Sequence, residues 1–163
     1  MSPWRSLCAL LLGSVLCGPA LAAPVVVHSD DVGHQLLVDG EPLWVKGMNW
    51  GYMPIGENYT YDFWGHDDDF IVTALTEDMG LLEAMGVNVI RQYDVIPPRW
   101  VTWIHDNYGI YTVINPLVGR YGATIDGSWR SSTDYSDSRT REVLVEQTLV
   151  SVERYKHTEG VLF

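Results

Sequence analysis

Residues 76–91, TEDMGLLEAMGVNVIR, predict a helix that leads directly into a strand. Thr76 can cap the helix, and residues 70–75 can add an earlier turn to it. Apolar side chains recur on one helical face: Met79, Leu82 and Met85. Gly86 ends the helix, because glycine readily takes the left-handed conformation that closes one. The apolar run at 87–91 then predicts a buried strand.

The same helix-to-strand pattern repeats towards the C-terminus. Pro98 begins a second helix that Gly109 ends, and residues 110–114 (IYTVI) predict the next strand. Either Ser136 or Ser138 can cap a third helix. The apolar positions of that helix include Val143, Val150 and Tyr155.

Two further apolar runs complete the pattern. After the third helix, residues 161–163 (VLF) predict the start of a fourth strand. Near the N-terminus, Asp39-Gly40 is a two-residue turn between apolar runs at 35–38 and 43–50. We therefore expect a hairpin whose second arm continues into the first strand of a larger sheet.

Strands that alternate with helices predict a parallel sheet with right-handed crossovers. The helix-to-strand connections are very short, whereas two of the loops that follow strands are long, at residues 51–68 and 116–135. In parallel α/β folds, long loops after the strand ends build the functional face. This pattern alone leaves an open sheet and a closed barrel as alternatives.

Composition excludes several classes of function. The formal net charge of −11 argues against nucleic acid and anionic membrane surfaces as partners. The 47% hydrophobic content argues against disorder. All 9 tyrosines lie after residue 22, which fits either core packing or a surface that grips a flat, partly apolar ligand.

Residues 1–22 have the layout of a secretory signal peptide. A basic start at Arg5 precedes an apolar stretch at 7–17 and small residues that suit cleavage after Ala22. The apolar stretch is too short for a membrane span, which needs roughly 20 residues. We therefore predict a secreted protein, extracellular or periplasmic. Both cysteines, Cys8 and Cys17, lie in this segment, so the mature chain would have no disulfide or thiolate metal site.

Three stretches carry a family resemblance: LLVDGEPLWVKGMNW (36–50), DMGLLEAMGVNVIRQYDVIPP (78–98) and IHDNYGIYTVINPL (104–117). In this order they resemble the front half of the (β/α)8 catalytic barrel of clan A glycoside hydrolases. They are similar to family 2 glycosidases and to fungal β-1,3-glucanosyltransferases. The resemblance implies a signal peptide (1–22), N-terminal strands and a hairpin (23–42), and a partial TIM barrel (43–163).

The resemblance also implies that the chain is the N-terminal part of a larger enzyme. In those families the general acid/base is a glutamate at the end of the fourth strand, and the nucleophile is a glutamate at the end of the seventh. A full barrel takes about 250 residues, and this chain accounts for about three and a half strand–helix units. We therefore expect a fragment of a secreted retaining glycoside hydrolase or transglycosylase, with both catalytic carboxylates beyond its last residue.

The expected substrate-binding residues lie at strand ends on the rim of the sheet: Asn49, Trp50, Arg91, Tyr93, Asp94 and Asn115. By the resemblance, Arg91 would keep the nucleophile ionised through a charge-assisted hydrogen bond. Asparagine amides can donate to and accept from sugar hydroxyls. Trp50 fits a core position equally well, and Asp94 can instead cap the turn that precedes Pro97.

Two other short motifs could suggest a functional site, an acidic run and a glycosylation sequon. His66-Asp67-Asp68-Asp69 could suggest a metal, but acidic residues before a helix more often cap it. We expect no metal and no cofactor. Asn58-Tyr59-Thr60 is an N-glycosylation sequon.

We expect an oligo- or polysaccharide as the partner, with self-association through exposed barrel edges as a further expectation. The alternative function is a non-catalytic carbohydrate-binding protein on the same partial barrel.

Overall fold

The computed structural model describes residues 24–93 and 95–163. The segment interpreted as a signal peptide, and Asp94, lie outside the described residues. The strands are β1 (Val25–Ser29), β2 (His34–Val38), β3 (Glu41–Pro42), β4 (Gly47–Trp50), β5 (Val89–Gln92), β6 (Tyr111–Ile114), β7 (Ala123–Ile125) and β8 (Ser128–Arg130). The helices are α1 (Asp68–Ala84), α2 (Pro98–Tyr108) and α3 (Ser138–Tyr155), with a 3-10 turn at Phe63–Gly65. The fold is mixed α/β with small sheets.

The N-terminal strands form a small antiparallel sheet in the order β1-β2-β3. The predicted Asp39-Gly40 turn joins β2 to β3, and both of its residues have a positive φ. The second arm is shorter than expected, because β3 ends at Pro42 and the chain joins the next sheet only at Gly47. Val38 packs in one buried cluster with Val89 of the parallel sheet. This cluster joins the hairpin to the rest of the molecule.

The central sheet is parallel, in the order β4-β5-β6. The predicted start of a fourth strand extends it, since Thr112 and Val161 form a parallel bridge. Backbone hydrogen bonds fix this register, from Thr112 N to Gly160 O (2.8 Å) and from Leu162 N to Thr112 O (2.9 Å). The alternation of strands and helices read from the sequence therefore produces the parallel pairing that it predicted.

The main core lies between the central sheet and helices α1 and α2. It contains fully buried residues from all three elements, including Ile71, Leu75, Met79, Ile90 and Ile104. Met85 was expected on the buried face of α1 but is 67% exposed, because the helix ends before it, at Ala84. Among the described residues, no helix is long and apolar enough to span a membrane.

Helix α1 begins earlier than predicted. Asp67 is its N-cap, and its carboxylate accepts a hydrogen bond from the Phe70 backbone N–H (2.9 Å). Thr76 lies inside the helix, where its hydroxyl donates to the Val72 carbonyl. The earlier start buries Ile71, which the shorter helix would have left out of the core. The acidic run before α1 thus has the capping role that we favoured over a metal site.

Helix α3 is capped by Asp137, the residue between the two serines that were predicted to do so. Its carboxylate accepts hydrogen bonds from the Thr140 N–H (2.7 Å) and the Thr140 hydroxyl (2.8 Å). Of the apolar positions expected on α3, Tyr155 is buried, whereas Val150 is 69% exposed. The long loop before α3 contains the β7–β8 hairpin, which the sequence reading missed despite its Asp126-Gly127 turn.

Candidate functional site

Side chains alternate between the two faces of the central sheet, and this alternation creates the site. Asn49 of β4 and Arg91 of β5 are register partners, and Arg91 is next to Val113 of β6. These three face away from the helices. One residue further along, Trp50 and Gln92 turn to the opposite side, where Trp50 joins the helix-packed core.

A cleft of about 600 Å³ opens on the face that carries Asn49 and Arg91. Its lining also includes Asn115, which follows β6, and Phe163 next to the fourth-strand segment. Three of the predicted site residues, Asn49, Arg91 and Asn115, are therefore brought together at the carboxyl ends of parallel strands. The described residues that line this cleft include no carboxylic acid.

Arg91 is held in place by its neighbour on the rim. Its guanidinium donates a hydrogen bond to the Tyr93 hydroxyl (3.0 Å) and lies 4.7 Å from the centre of the Tyr93 ring. An arginine that stacks on an aromatic face has fewer accessible rotamers. Arg91 thus offers a fixed positive charge to an anionic group in the cleft.

Asn115 is a further polar residue in the lining of the cleft, beside Asn49 and Arg91. Its backbone N–H donates to the Gln92 carbonyl (3.1 Å), which fixes the residue at the end of β6. Its side-chain nitrogen is buried and has no hydrogen-bond partner among the described residues. A buried amide donor without a partner costs roughly 1–3 kcal/mol, so a ligand oxygen that accepts from it would gain affinity.

Trp50 belongs to the core and not to the surface of the cleft. Its side chain is 8% exposed, its indole N–H donates to the Asp78 carboxylate (2.9 Å), and its ring meets the Phe63 ring edge-on. This burial favours the core alternative for Trp50. Asp94 lies outside the described residues, so both of its interpretations, sugar binding and capping of the turn before Pro97, stay predictions.

A second cleft, of about 240 Å³, lies beside the first and contains residues that sequence reasoning did not select. The two clefts share Asn49, and two other predicted site residues, Tyr93 and the mostly buried Trp50, line the second one. The residues that were missed belong to the loop after β4: Tyr52, Met53, Asn58, Tyr59 and Tyr61. The richness of this loop in tyrosine was the available signal.

An aromatic cluster holds the loop after β4 against the start of α1. Tyr52 stacks on Phe63 with ring centres 4.5 Å apart, and the Tyr61 hydroxyl is hydrogen-bonded to His66 Nε2 (2.9 Å). Partial burial, and then the nearby Tyr52 and Glu57, raise the pKa of the Tyr61 phenol above its usual value. His66 therefore has a structural role as the hydrogen-bond partner of Tyr61, next to the helix-capping residue Asp67.

One group of side chains has the composition of a cation site. His105, Asp106 and Glu159 place potential ligand atoms within 4.8 Å of one another. The group lies at the amino ends of the strands, on the opposite edge of the sheet from both clefts. Such exposed acidic groups are common on protein surfaces, and it has no connection with the chemistry of the clefts.

Solved structures of a glycoside-cleaving enzyme share this fold. The chain is similar to the exo-chitosanase CsxA of Amycolatopsis orientalis, with a TM-score of 0.53 at 18% identity over 85% of this chain. A structure that describes the inhibition of the exo-β-D-glucosaminidase CsxA by a glucosamine-configured castanospermine and an amino-australine analogue gives a TM-score of 0.52 at 18% identity. The chain spans about 15% of the length of these structures. The described part of the chain therefore has a glycosidase-like fold.

No protein-family model matches the chain, and no curated protein matches it.

Proposed function

We propose that this chain is the N-terminal part of a secreted retaining glycoside hydrolase or transglycosylase that acts on the O-glycosidic bonds of a polysaccharide. The observation that carries the proposal is the meeting of Asn49, Arg91 and Asn115 in one cleft at the carboxyl ends of parallel strands. In this proposal residues 43–163 are the first part of a (β/α)8 barrel, whose functional side is this end of the strands. The fold likeness to an exo-chitosanase supports it.

The cleft has the groups that position a sugar but not those that break its glycosidic bond. Retaining hydrolysis needs two carboxyl groups about 5–5.5 Å apart across the scissile bond. The described lining of the cleft has none, so we expect both glutamates in polypeptide that follows residue 163. Arg91 would hold the nucleophilic glutamate ionised, while Asn49 and Asn115 would hydrogen-bond to sugar hydroxyls.

The extended reading frame tests this proposal. It should encode an Asn-Glu pair within a few residues of Phe163, and Gln in place of that glutamate should abolish hydrolysis. Arg91→Met in the extended protein should lower kcat/KM at least roughly a hundredfold, because a charge-assisted hydrogen bond to the nucleophile would be lost.

Arg99→Met is the matched control, since Arg99 pairs with Asp68 on the surface and should leave kcat/KM unchanged. A reading frame without the Asn-Glu pair, or glycoside hydrolysis by the 163-residue chain alone, would show the proposal to be wrong.

Secretion is part of the proposal and has its own test. Expressed in a host with a functional export system, the mature protein should begin at Ala23, as read by N-terminal sequencing of the exported product. Retention of residues 1–22 on a cytoplasmic product would contradict this part.

The absence of a carboxylic acid from the described cleft lining favours a second candidate, a non-catalytic carbohydrate-binding protein. Such a protein would be retained on an immobilised polysaccharide and would release no reducing sugar from it. Release of sugar by the extended protein would exclude this candidate.

A further inference from the structure

The smaller cleft displays one aromatic side chain that the fold does not use. Tyr59 is 87% exposed at the top of a turn closed by the Tyr61 N–H, which donates to the Asn58 carbonyl (2.9 Å). The Asn58 carboxamide oxygen accepts from the Thr60 N–H (3.0 Å) and the Thr60 hydroxyl (2.9 Å). The turn is therefore fixed by its own hydrogen bonds, and it presents the Tyr59 ring without burying it.

The rest of the cleft has the chemistry of a sugar-binding surface. Tyr52, Tyr61 and Tyr93 supply apolar ring surface, and the Asn49 and Asn58 amides supply polar groups. A pyranose ring has an apolar face of C–H groups and a rim of hydroxyls, which suits aromatic rings next to amides. At about 240 Å³ the cleft is smaller than the roughly 300–1,000 Å³ of a site for a whole drug-sized ligand, so a single sugar ring suits it.

We infer that the smaller cleft is a subsite for a neighbouring ring of the polysaccharide, with Tyr59 as its stacking platform. This inference rests on the proposed function, because the chain would run from the larger cleft past Asn49 into the smaller one. Tyr59 acts here as a binding residue and takes no part in bond cleavage.

The test is isothermal titration calorimetry of the full chain at 0.15 M salt. The probes are hexasaccharides of β-1,3-linked glucose and of glucosamine. At least one of them should bind. Tyr59→Ala should weaken binding roughly tenfold through lost stacking, whereas Tyr59→Phe should retain the parent affinity. Tyr121→Ala is the matched control, since Tyr121 is 65% exposed on a different loop.

The outcomes separate the inference from the proposed function. Equal affinity of Tyr59→Ala and the parent, with binding lost in Asn115→Ala, would overturn the inference and leave the proposed function in place. Weaker binding by Tyr59→Ala, with no hydrolysis by the extended protein, would support the inference and overturn the proposed function. Binding of neither probe would also overturn the inference.

Discussion

At the scale of single residues, one glycine brings the fourth-strand segment against α2. Gly160 has a φ of 86°, and a Cβ added there would come within 2.5 Å of the His105 Cβ and 3.2 Å of the Val101 carbonyl oxygen. The backbone can approach the helix this closely only without a side chain. Gly160 therefore decides whether the segment can reach its place beside β6.

We expect Gly160→Ala to be clearly more destabilising than Gly86→Ala. Both glycines follow a helix with positive φ, but a Cβ at Gly86 would meet nothing within 4 Å. Gly86→Ala should cost about 1 kcal/mol through backbone conformation alone. Gly160→Ala should add about 1–3 kcal/mol through overpacking. Urea unfolding measures both, and equal losses would contradict the close approach.

The convergence of Asn49, Arg91 and Asn115 could be read from the sequence because parallel strands place their carboxyl ends on one edge. The burial of Trp50 could not be predicted from the sequence, because it depends on which face of the sheet the helices cover. The exposure of the Tyr59 side chain in the smaller cleft could not be predicted from the sequence either. It depends on side-chain hydrogen bonds within a loop, which hydrophobic periodicity does not report.

At the scale of elements, helix existence was predictable and helix starts were not. Pro98 and Gly109 bound α2 as predicted, since proline at the first position and glycine after the last are strong signals. The starts of α1 and α3 were misplaced because Ser, Thr and Asp all cap helices, and the sequence offers several of them in a row. Tertiary packing selects among these candidates.

The cap of α3 gives a pH-dependent prediction. Hydrogen bonds from the backbone N–H and hydroxyl of Thr140 hold the pKa of Asp137 below its usual value of 3.8. A lowered folded-state pKa means that this stabilisation is complete above the unfolded pKa and is lost as pH falls below about 3.8. Asp137→Asn keeps a capping oxygen but cannot titrate, so its stability should fall less between pH 7 and pH 3 than that of the parent.

Asp137→Ala supplies the comparison for this prediction. It removes the capping oxygen, so it should be less stable than Asp137→Asn already at pH 7. Urea midpoints at pH 7 and pH 3 measure both effects. An Asp137→Asn variant with the same acid sensitivity as the parent would contradict the assignment.

Tyr155 anchors the end of α3 to the rest of the molecule. Its buried hydroxyl donates to the Ile96 carbonyl (2.6 Å). Tyr155→Phe should lower the free energy of unfolding by about 1–2 kcal/mol, because the carbonyl loses its donor in a buried place. Tyr121→Phe is the control, since Tyr121 is 65% exposed and its loss of a hydroxyl should change the unfolding free energy little. Equal effects in chemical denaturation would contradict this anchoring role.

At the scale of the whole molecule, apolar surface remains uncovered on two sides. The outer face of α3 exposes four apolar residues: Val145, Leu149, Val150 and Val152. An apolar groove of about 440 Å³ lies between α3 and the last residues of the chain. On the other side, β4 is an edge strand of the described sheet, with Met48 39% exposed. Edges and apolar faces of this kind favour association.

We expect the isolated chain to self-associate. Light scattering coupled to size-exclusion chromatography should give a mass above 18.4 kDa that rises with concentration. Val150→Lys should shift the distribution towards the monomer, because it places a charge on the exposed apolar face. Glu146→Gln, a surface change on the same helix that also raises the net charge by one, controls for altered net charge. A parent that stays monomeric at every concentration would contradict the prediction.

The alternation of helices and strands allowed the parallel pairing of the central strands to be predicted from the sequence. The β7–β8 hairpin was missed because its strands are only three residues long, too short for periodicity to stand out. Its Asp-Gly turn is the same dipeptide that revealed the earlier hairpin.

The position of Asn58 in the smaller cleft has a practical consequence for anyone who produces this protein. A eukaryotic secretory host that modifies Asn-Tyr-Thr would attach its oligosaccharide to an amide that lines the cleft, and the attached sugar would occupy the place where a ligand should enter. Material from such a host should fail to bind until it is enzymatically deglycosylated, while bacterially expressed material should bind at once.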